Sequence, residues 1–224
     1  MFYEADARFW PIVPFAKRLC ERRDWPAPAE LAGVLKTPVT FAEPPFAGKS
    51  AGAYDASIVE RREVLTRPRH WHDLFNAFVW CVFPKTKAAL HERQYACIRE
   101  RVVDGMAPNA RTREQDALAL FDEGGVVRVD GESETFDVIF GHSLYETMLH
   151  DRLLVHGAHV RVGVESTRLT AVTWQALLDE RLSYYVSSKD RFQSPTQFDR
   201  IDLNSLRNPS WISGASAREH HPLG

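Results

Sequence analysis

The sequence predicts a single α+β domain in which several helices pack on a small mixed or antiparallel sheet. The chain of 224 residues is 44% hydrophobic and 26% charged, which is typical of a globular protein with a substantial core. Helical periodicity is clear over residues 70–102, whereas short segments with strand-like patterns recur from residue 116 onward. We therefore expect one domain over 1–205 and a polar, partly ordered tail over 206–224.

The first half of the chain is predicted to be mainly helical. A short helix over 14–23 and a short strand over 36–42 are each followed by prolines. The strongest helix signal covers 70–83, where apolar residues recur with the period of a broad buried face. Pro84 suits the first turn of a second helix over 85–102. That helix is expected to bury one stripe of side chains: Ala88, His91, Tyr95, Ile98 and Val102.

The second half is predicted to alternate between strands and helices. The apolar residues within 116–123 alternate between alanine and leucine, and the run stops at two glycines, so that with 126–129 it predicts a β-hairpin. A strand over 135–140 is expected to turn at Gly141 into a helix. A further strand over 156–166 and a last helix over 173–188 complete the prediction.

Charge and cysteine content narrow the class of protein. A net charge of −2 supplies no general positive field for non-specific binding of nucleic acid. The three cysteines are scattered without a paired motif, which favours a reducing compartment. We see no signal peptide, no membrane span and no nucleotide cofactor motif, and we expect a cytoplasmic protein that does not contact the membrane.

Polar residues interrupt the apolar helix over 70–83. His72 and Asn76 are four residues apart and so share a face, and Asp73 lies beside them in the first turn. Such groups can bind a metal ion or orient a substrate. From spacing alone, a solvated helix end, where an acidic residue interacts favourably with the helix dipole, is the more common explanation.

A second polar pair follows Gly141. His142 and Glu146 have the same spacing of four, which directs an imidazole and a carboxylate to one spot and supplies half of a metal site. Asp116, Asp122 and Glu123 begin and end the predicted hairpin strand, where carboxylates can gather beside a cleft. Alternatively, His142 and Glu146 form an ordinary surface pair, and the carboxylates before the two glycines are ordinary turn residues.

Two other patterns give weaker indications of function. Ser143 stands where a nucleophile elbow would place its serine, but Tyr145 replaces the glycine that a sharp turn needs. The adjacent His220 and His221 lie in the polar tail and receive no role.

Basic residues flank the helix over 70–83, so Arg67, Arg69 and Lys85 are candidates to bind an anionic small molecule or nucleic acid. Lys87 belongs to the same group, for which a solvated surface is the alternative.

Three sequence blocks resemble one bacterial family, the domain of unknown function 3025. They are TRPRHWHDLFNAFVWCVFPKTKAAL, DALALFDEGGVV and FGHSLYE, and the resemblance is strongest over about residues 50–150. His91 and Ser143 depart from the asparagine and alanine of the family pattern, and the stretch around Trp211 resembles its C-terminal block only weakly. The resemblance implies no particular substrate or cofactor, but it places polar residues within the recognisable blocks.

If the two polar helices and the hairpin converge, the expected function is a metal-assisted hydrolase acting on an anionic substrate such as a phosphoester. His72, Asp73, His142 and Glu146 would bind an unidentified divalent metal ion. Asp116 or Glu123 would act as general base, and Asn76 would orient a ligand. The alternative is a non-catalytic binding or assembly protein. Its partner surface would be the aromatic face of one helix: Trp71, Phe75, Phe78 and Trp80.

Overall fold

A four-stranded mixed sheet and the helices packed around it confirm the α+β class. The computed structural model describes residues 4, 6–20, 22, 24–45, 52–103, 110–132, 134–150, 156–164 and 169–212. The strands of the sheet are β3 (Gly125–Asp130), β4 (Thr135–Ile139), β5 (His156–Gly163) and β6 (Asp199–Asp202). Their order is β4-β3-β5-β6; β3 and β5 are parallel, and the other two pairings are antiparallel.

The N-terminal part contains three helices and a second, two-stranded sheet. The helices are α1 (Val13–Cys20), α2 (Pro28–Leu35) and α3 (Ala53–Arg61). Strand β1 (Thr40–Ala42) pairs in parallel with β2 (Glu63–Leu65) on either side of α3. The predicted helix over 14–23 and strand over 36–42 thus correspond to the shorter α1 and β1.

Two consecutive helices form the centre of the domain, as the periodicity predicts. Helix α4 (Trp71–Val82) buries ten of its twelve residues, and α5 (Pro84–Arg99) begins at the expected proline. The predicted stripe on α5 is wrong in part, because Val102 lies beyond the helix and is exposed, whereas Lys87 is fully buried. Helix α8 (Trp174–Ser187) packs along α5. Its buried Asp179 accepts hydrogen bonds from the backbone N–H groups of Lys85 and Thr86.

The predicted hairpin over 116–129 is wrong. Residues Arg113–Gly124 form a helix, α6, and the chain enters β3 directly at Gly125. The side chain of Thr112 accepts from the backbone N–H of Gln115, whose side chain accepts from the backbone N–H of Thr112. This reciprocal cap fixes a helix start ahead of residues whose apolar alternation resembles a strand. The observed hairpin joins β3 to β4 instead.

The chain passes close to itself at Gly125 and Gly141, which brings the end of α6 next to the start of the following helix. The backbone N–H groups of Phe140 and Gly141 both donate to the carbonyl of Gly125, at 2.9 and 2.8 Å. A Cβ atom on Gly141 would lie 2.4 Å from the nitrogen of Gly125 and 2.5 Å from the carbonyl oxygen of Glu123, so only glycine permits this approach. Helix α7 (His142–Leu149) starts at once after the crossing and packs against α4. Among the described residues, no helix has the length and apolar character needed to span a membrane.

Candidate metal centre

Three potential metal ligands converge from three helices. His72 lies in the first turn of α4, Glu123 in the last turn of α6, and His142 at the start of α7. The Nε2 atoms of the two histidines are 3.0 Å apart. Oε2 of Glu123 lies 3.4 Å from Nε2 of His142 and 3.7 Å from Nε2 of His72. Two imidazoles and a carboxylate therefore point at one spot.

The separations of these three atoms match those of ligands that share one metal ion. The point equidistant from atoms 3.0, 3.4 and 3.7 Å apart lies about 2.0 Å from each of them. Zinc binds imidazole nitrogen at about 2.0–2.1 Å and carboxylate oxygen at about 2.0–2.2 Å. His72, Glu123 and His142 could thus hold one transition metal ion together.

Two side chains from α7 support the ligands. Nδ1 of His72 lies 3.1 Å from Oε2 of Glu146, so the N–H at that position donates to the carboxylate. The hydroxyl of Ser143 donates to Oε2 of Glu123 and lies 3.3 Å from Nδ1 of His72. Because the Nδ1–H of His72 donates to Glu146, a neutral His72 presents its Nε2 lone pair to the cluster.

The cluster is buried on one side and open on the other. The side chain of His142 is 4% exposed and that of His72 is 24% exposed, whereas that of Glu123 is 49% exposed. Catalytic metal sites differ from structural ones in keeping a coordination position accessible to water or substrate. The half-exposed carboxylate of Glu123 therefore leaves one side of the cluster accessible to water.

Burial keeps His142 uncharged near neutral pH. Its pKa is lowered to about 4, chiefly by desolvation, against the opposing effect of the Asp122 carboxylate. Without a metal ion, neutral His142 can donate its Nε2–H to Nε2 of His72, which extends the hydrogen-bonded chain to Glu146. The same nitrogen becomes a ligand once its proton leaves.

The structure places three of the predicted site residues away from the cluster. Asp73 accepts from Arg67 through the backbone N–H and two guanidinium nitrogens, at 2.6, 3.0 and 2.7 Å. Asn76 donates to the hydroxyl of Tyr54 at 2.9 Å. Asp116 is exposed in the first turn of α6, roughly 10 Å from Glu123 along the helix. Of the seven predicted residues, His72, Glu123, His142 and Glu146 meet.

The predicted basic patch is divided between the two ends of α4. Arg67 and Arg69 precede this twelve-residue helix and Lys85 follows it, which separates them by roughly 18 Å. Arg67 is bound to Asp73, and Lys85 lies 3.6 Å from Glu180. Lys87 has no exposed side-chain surface, so its expected place on a surface patch is wrong.

Sequence reasoning missed a buried polar network behind the cluster. Lys87 donates to Asp122, and Nδ1 of His91 lies 2.9 Å from the carboxylate of Asp55. Nε2 of His91 is 3.9 Å from Asp122, so the two pairs lie close together without a hydrogen bond between them. The periodicity of α5 does predict a buried His91, whereas a lysine within a helix looks like a surface residue, and so the burial of Lys87 and its pairing with Asp122 were missed.

Together, the fold and this geometry define an α+β protein with a candidate metal centre of two histidines and one glutamate. Residues 39–135 match the model of a family described as a protein of unknown function (DUF3025), and this segment belongs to that family. The family expected from the sequence blocks is therefore confirmed. The matched residues include His72 and Glu123, whereas His142 and Glu146 follow them. Searches of curated proteins and of solved structures each returned no significant match.

Proposed function

We propose that this protein is a metal-dependent hydrolase whose divalent metal ion is held by His72, Glu123 and His142. The observation that carries the proposal is the 3.0–3.7 Å spacing of three ligand atoms at the protein surface. A hydrogen bond between two histidines does not require a carboxylate oxygen within 3.4–3.7 Å of both rings, which is the separation expected of two ligands of one metal ion. Two imidazoles, one carboxylate and an open side make up the ligand set of several catalytic zinc sites.

The chemistry follows from the open side of the cluster. A bound divalent ion lowers the pKa of a coordinated water from 15.7 to about 7, which makes hydroxide available at neutral pH. Glu146 would hold the ring of His72 in the tautomer that binds metal, and Ser143 would hold the carboxylate of Glu123. Both supporting residues lie on α7 beside His142.

A phosphoester is our first choice of substrate. The guanidinium of Arg67 is half exposed while Asp73 fixes its position, so it offers directed N–H donors next to α4. Arginine in such a fixed geometry suits phosphate oxygens. Arg69 follows two residues later and adds a second exposed positive charge ahead of α4.

The alternative of a non-catalytic binding or assembly protein loses its expected surface. Phe75, Phe78 and Trp80 are at most 1% exposed and therefore belong to the core. A metal-free chain of hydrogen bonds from His142 through His72 to Glu146 remains the structural competitor to the metal site. The two differ in one measurable property, the metal content of the protein.

Elemental analysis of the purified, tag-free protein tests the proposal. We expect about one equivalent of a transition metal ion in the wild type and none in a folded His72→Ala/His142→Ala variant. Glu180→Gln, which changes an exposed carboxylate on α8, serves as the control and should keep the metal. A protein that stays metal-free after incubation with Zn²⁺, Mn²⁺ or Fe²⁺ would overturn the proposal. Iron as the native ion would point to oxygen chemistry, since non-heme iron enzymes use the same ligand set.

Activity provides a second measurement. A screen of phosphoesters with the metal-loaded protein should find turnover that Glu123→Gln abolishes, because this variant removes a ligand charge. The sequence-based prediction has Asp116 or Glu123 as general base, and Asp116→Asn tests the first of these two assignments. We expect Asp116→Asn to retain activity, since its side chain is exposed two helical turns from Glu123.

A further inference from the structure

A polar cleft lies between strand β5 and helix α8, away from the candidate metal centre. It encloses about 300 Å³, which is at the lower end of the range for small-molecule sites. Its walls are the end of β5, the second half of α8 and the loop over 188–191. The parallel register of β3 and β5 pairs Gly125 with Ala158 and Asp130 with Gly163. The cleft therefore lies roughly 10–16 Å along the strands from Gly125, where the metal centre is.

Three arginines from three elements line this cleft. Arg161 of β5 donates to both carboxylate oxygens of Asp130 at 3.0 Å. Arg191 of the loop lies 4.7 Å from the ring centroid of Tyr185 and donates to its hydroxyl at 3.0 Å. Arg181 of α8 is exposed and has no hydrogen-bond or ion-pair partner among the described residues. Two guanidinium groups are thus held in place, and the third is available to a ligand.

The charges around the cleft favour an anion. Asp130 binds Arg161, and Asp190 lies 3.9 Å from Arg191, so that two of the three positive charges are offset. The charge of Arg181 remains. A guanidinium group presents planar N–H donors that match the oxygens of a phosphate or carboxylate group. The cleft is therefore suited to a ligand with negatively charged oxygens.

An exposed aromatic ring belongs to the same cleft. Tyr184 of α8 is 73% exposed and lines the cleft together with Arg181. The two residues are three apart in the sequence, so they share one face of the helix. A tyrosine ring can stack on a planar base while arginines bind the phosphate attached to it. A phosphate group and a planar ring together make up a nucleotide.

The loop after α8 is fixed in shape from behind. The guanidinium of Arg93 on α5 is largely buried and donates to three carbonyl oxygens at the end of α8 and in the loop. They belong to Val186, Ser188 and Arg191, at 2.7, 2.9 and 2.6 Å. The next residue, Phe192, has a φ of 57°, which is unfavourable for a residue other than glycine, and its buried ring holds it there. Such backbone conformations cluster at ligand-binding segments, and this loop is preorganised in the same way.

We propose that this cleft binds a nucleotide, with the phosphate on Arg181 and Arg191 and the base on the ring of Tyr184. Arg161, fixed by Asp130, supplies further donors from the wall formed by β5. The inference goes beyond the proposed hydrolase function and does not depend on it, because the cleft shares no residue with the candidate metal centre.

Isothermal titration calorimetry of the full-length protein tests the proposal, with AMP as the probe. A chelator is present, so that no metal ion can bind the phosphate at the other site. We expect AMP to bind, and adenosine and inorganic phosphate each to bind at least about tenfold more weakly, because each lacks one half of the recognised ligand.

Variants of the cleft assign the binding to its residues. Arg181→Ala should weaken AMP binding by about 10–100-fold, and Tyr184→Ala by about 5–100-fold. Arg99→Ala is the matched control, because Arg99 is an exposed arginine that lies over the ring of Tyr95 on α5, outside the cleft. This variant should keep the wild-type affinity for AMP to within about twofold.

Several outcomes would overturn the proposal. The wild type could show no AMP binding at millimolar concentrations, or a folded Arg181→Ala variant could bind AMP as tightly as the wild type. Equal weakening in Arg99→Ala would indicate general attraction between charges. Loss of AMP binding in His72→Ala/His142→Ala would place the nucleotide at the metal centre instead. An oligothymidylate strand that binds where AMP does not would identify nucleic acid as the occupant.

A readout on the wild type needs no variant. In ¹H–¹⁵N spectra, AMP should shift the backbone amide signals of Val162, Gly163 and Arg191, which line the cleft. The signals of His72 and His142 should stay in place. Shifts confined to these two histidines and their neighbours would refute the inference, whatever the metal content of the protein proves to be.

Discussion

Acidification below pH 6.5 is expected to destabilise the metal-free protein through His142. The folded protein disfavours protonation of this buried imidazole, whose pKa is lowered to about 4, whereas an unfolded chain binds the proton near pH 6.5. The contribution of neutral His142 to the free energy of unfolding is therefore complete above about pH 6.5 and is lost as the pH falls from there toward 4. These two pKa values give a loss of about 2 kcal/mol at pH 5 and about 3 kcal/mol at pH 4.

The assay is urea-induced unfolding at pH 7.5 and pH 5.0, with a chelator present, for the wild type and His142→Gln. Asp122, Lys87, Glu123 and His72 face His142 and also titrate or carry charge. Most of their own pH dependence cancels when the two proteins are compared. The wild type should lose about 2 kcal/mol more than the variant between these pH values. Equal pH dependence in both proteins would refute the argument that His142 folds in its neutral form.

Three further predictions concern the support of the site and the fold. Glu146→Gln should weaken Zn²⁺ binding by about 10–100-fold in a chelator competition, while Glu180→Gln should not, because only Glu146 orients a ligand ring. Asp179→Ala should lower the free energy of unfolding by about 1–3 kcal/mol in urea, since it leaves the buried N–H of Thr86 without its acceptor; an unchanged value would contradict this cap. Gly141→Ala should lower the free energy of unfolding by several kcal/mol and displace His142, because a Cβ there overlaps backbone atoms. The control is Gly33→Ala on α2, where a Cβ meets no atom within 4 Å. In thermal unfolding this variant should be neutral or more stable by up to about 1 kcal/mol.

Local patterns were sufficient to predict most elements of the fold. Helix α4 and strand β5 were predicted from periodicity because each buries a regular set of apolar residues. Helix α6 was not, since its alternating alanines and leucines over 117–120 resemble a strand and its start depends on the cap between Thr112 and Gln115. The cap favours a helix, whereas the alternating apolar residues favour a strand. The burial of Leu118 and Phe121 in the tertiary structure stabilises the helix.

The candidate site was only partly predictable for a different reason. A spacing of four shows that His142 and Glu146 share a helix face, but it does not show which side chain lies opposite. In the structure these two residues approach opposite nitrogens of one ring, that of His72. The meeting of Glu123 and His142 depends on the crossing of Gly125 and Gly141, which are 16 positions apart in the sequence. Such a contact comes from the path of the chain rather than from any local period.

The charges and helix ends around the cluster favour a divalent cation. Glu123 lies in the last turn of α6, where the negative end of the dipole adds to its own charge. Asp122 and Lys87 neutralise each other, so Glu123 and Glu146 leave the site with an excess of about two negative charges. Neutral imidazoles would not balance that charge, whereas a divalent ion at the position that the three ligand atoms define would do so.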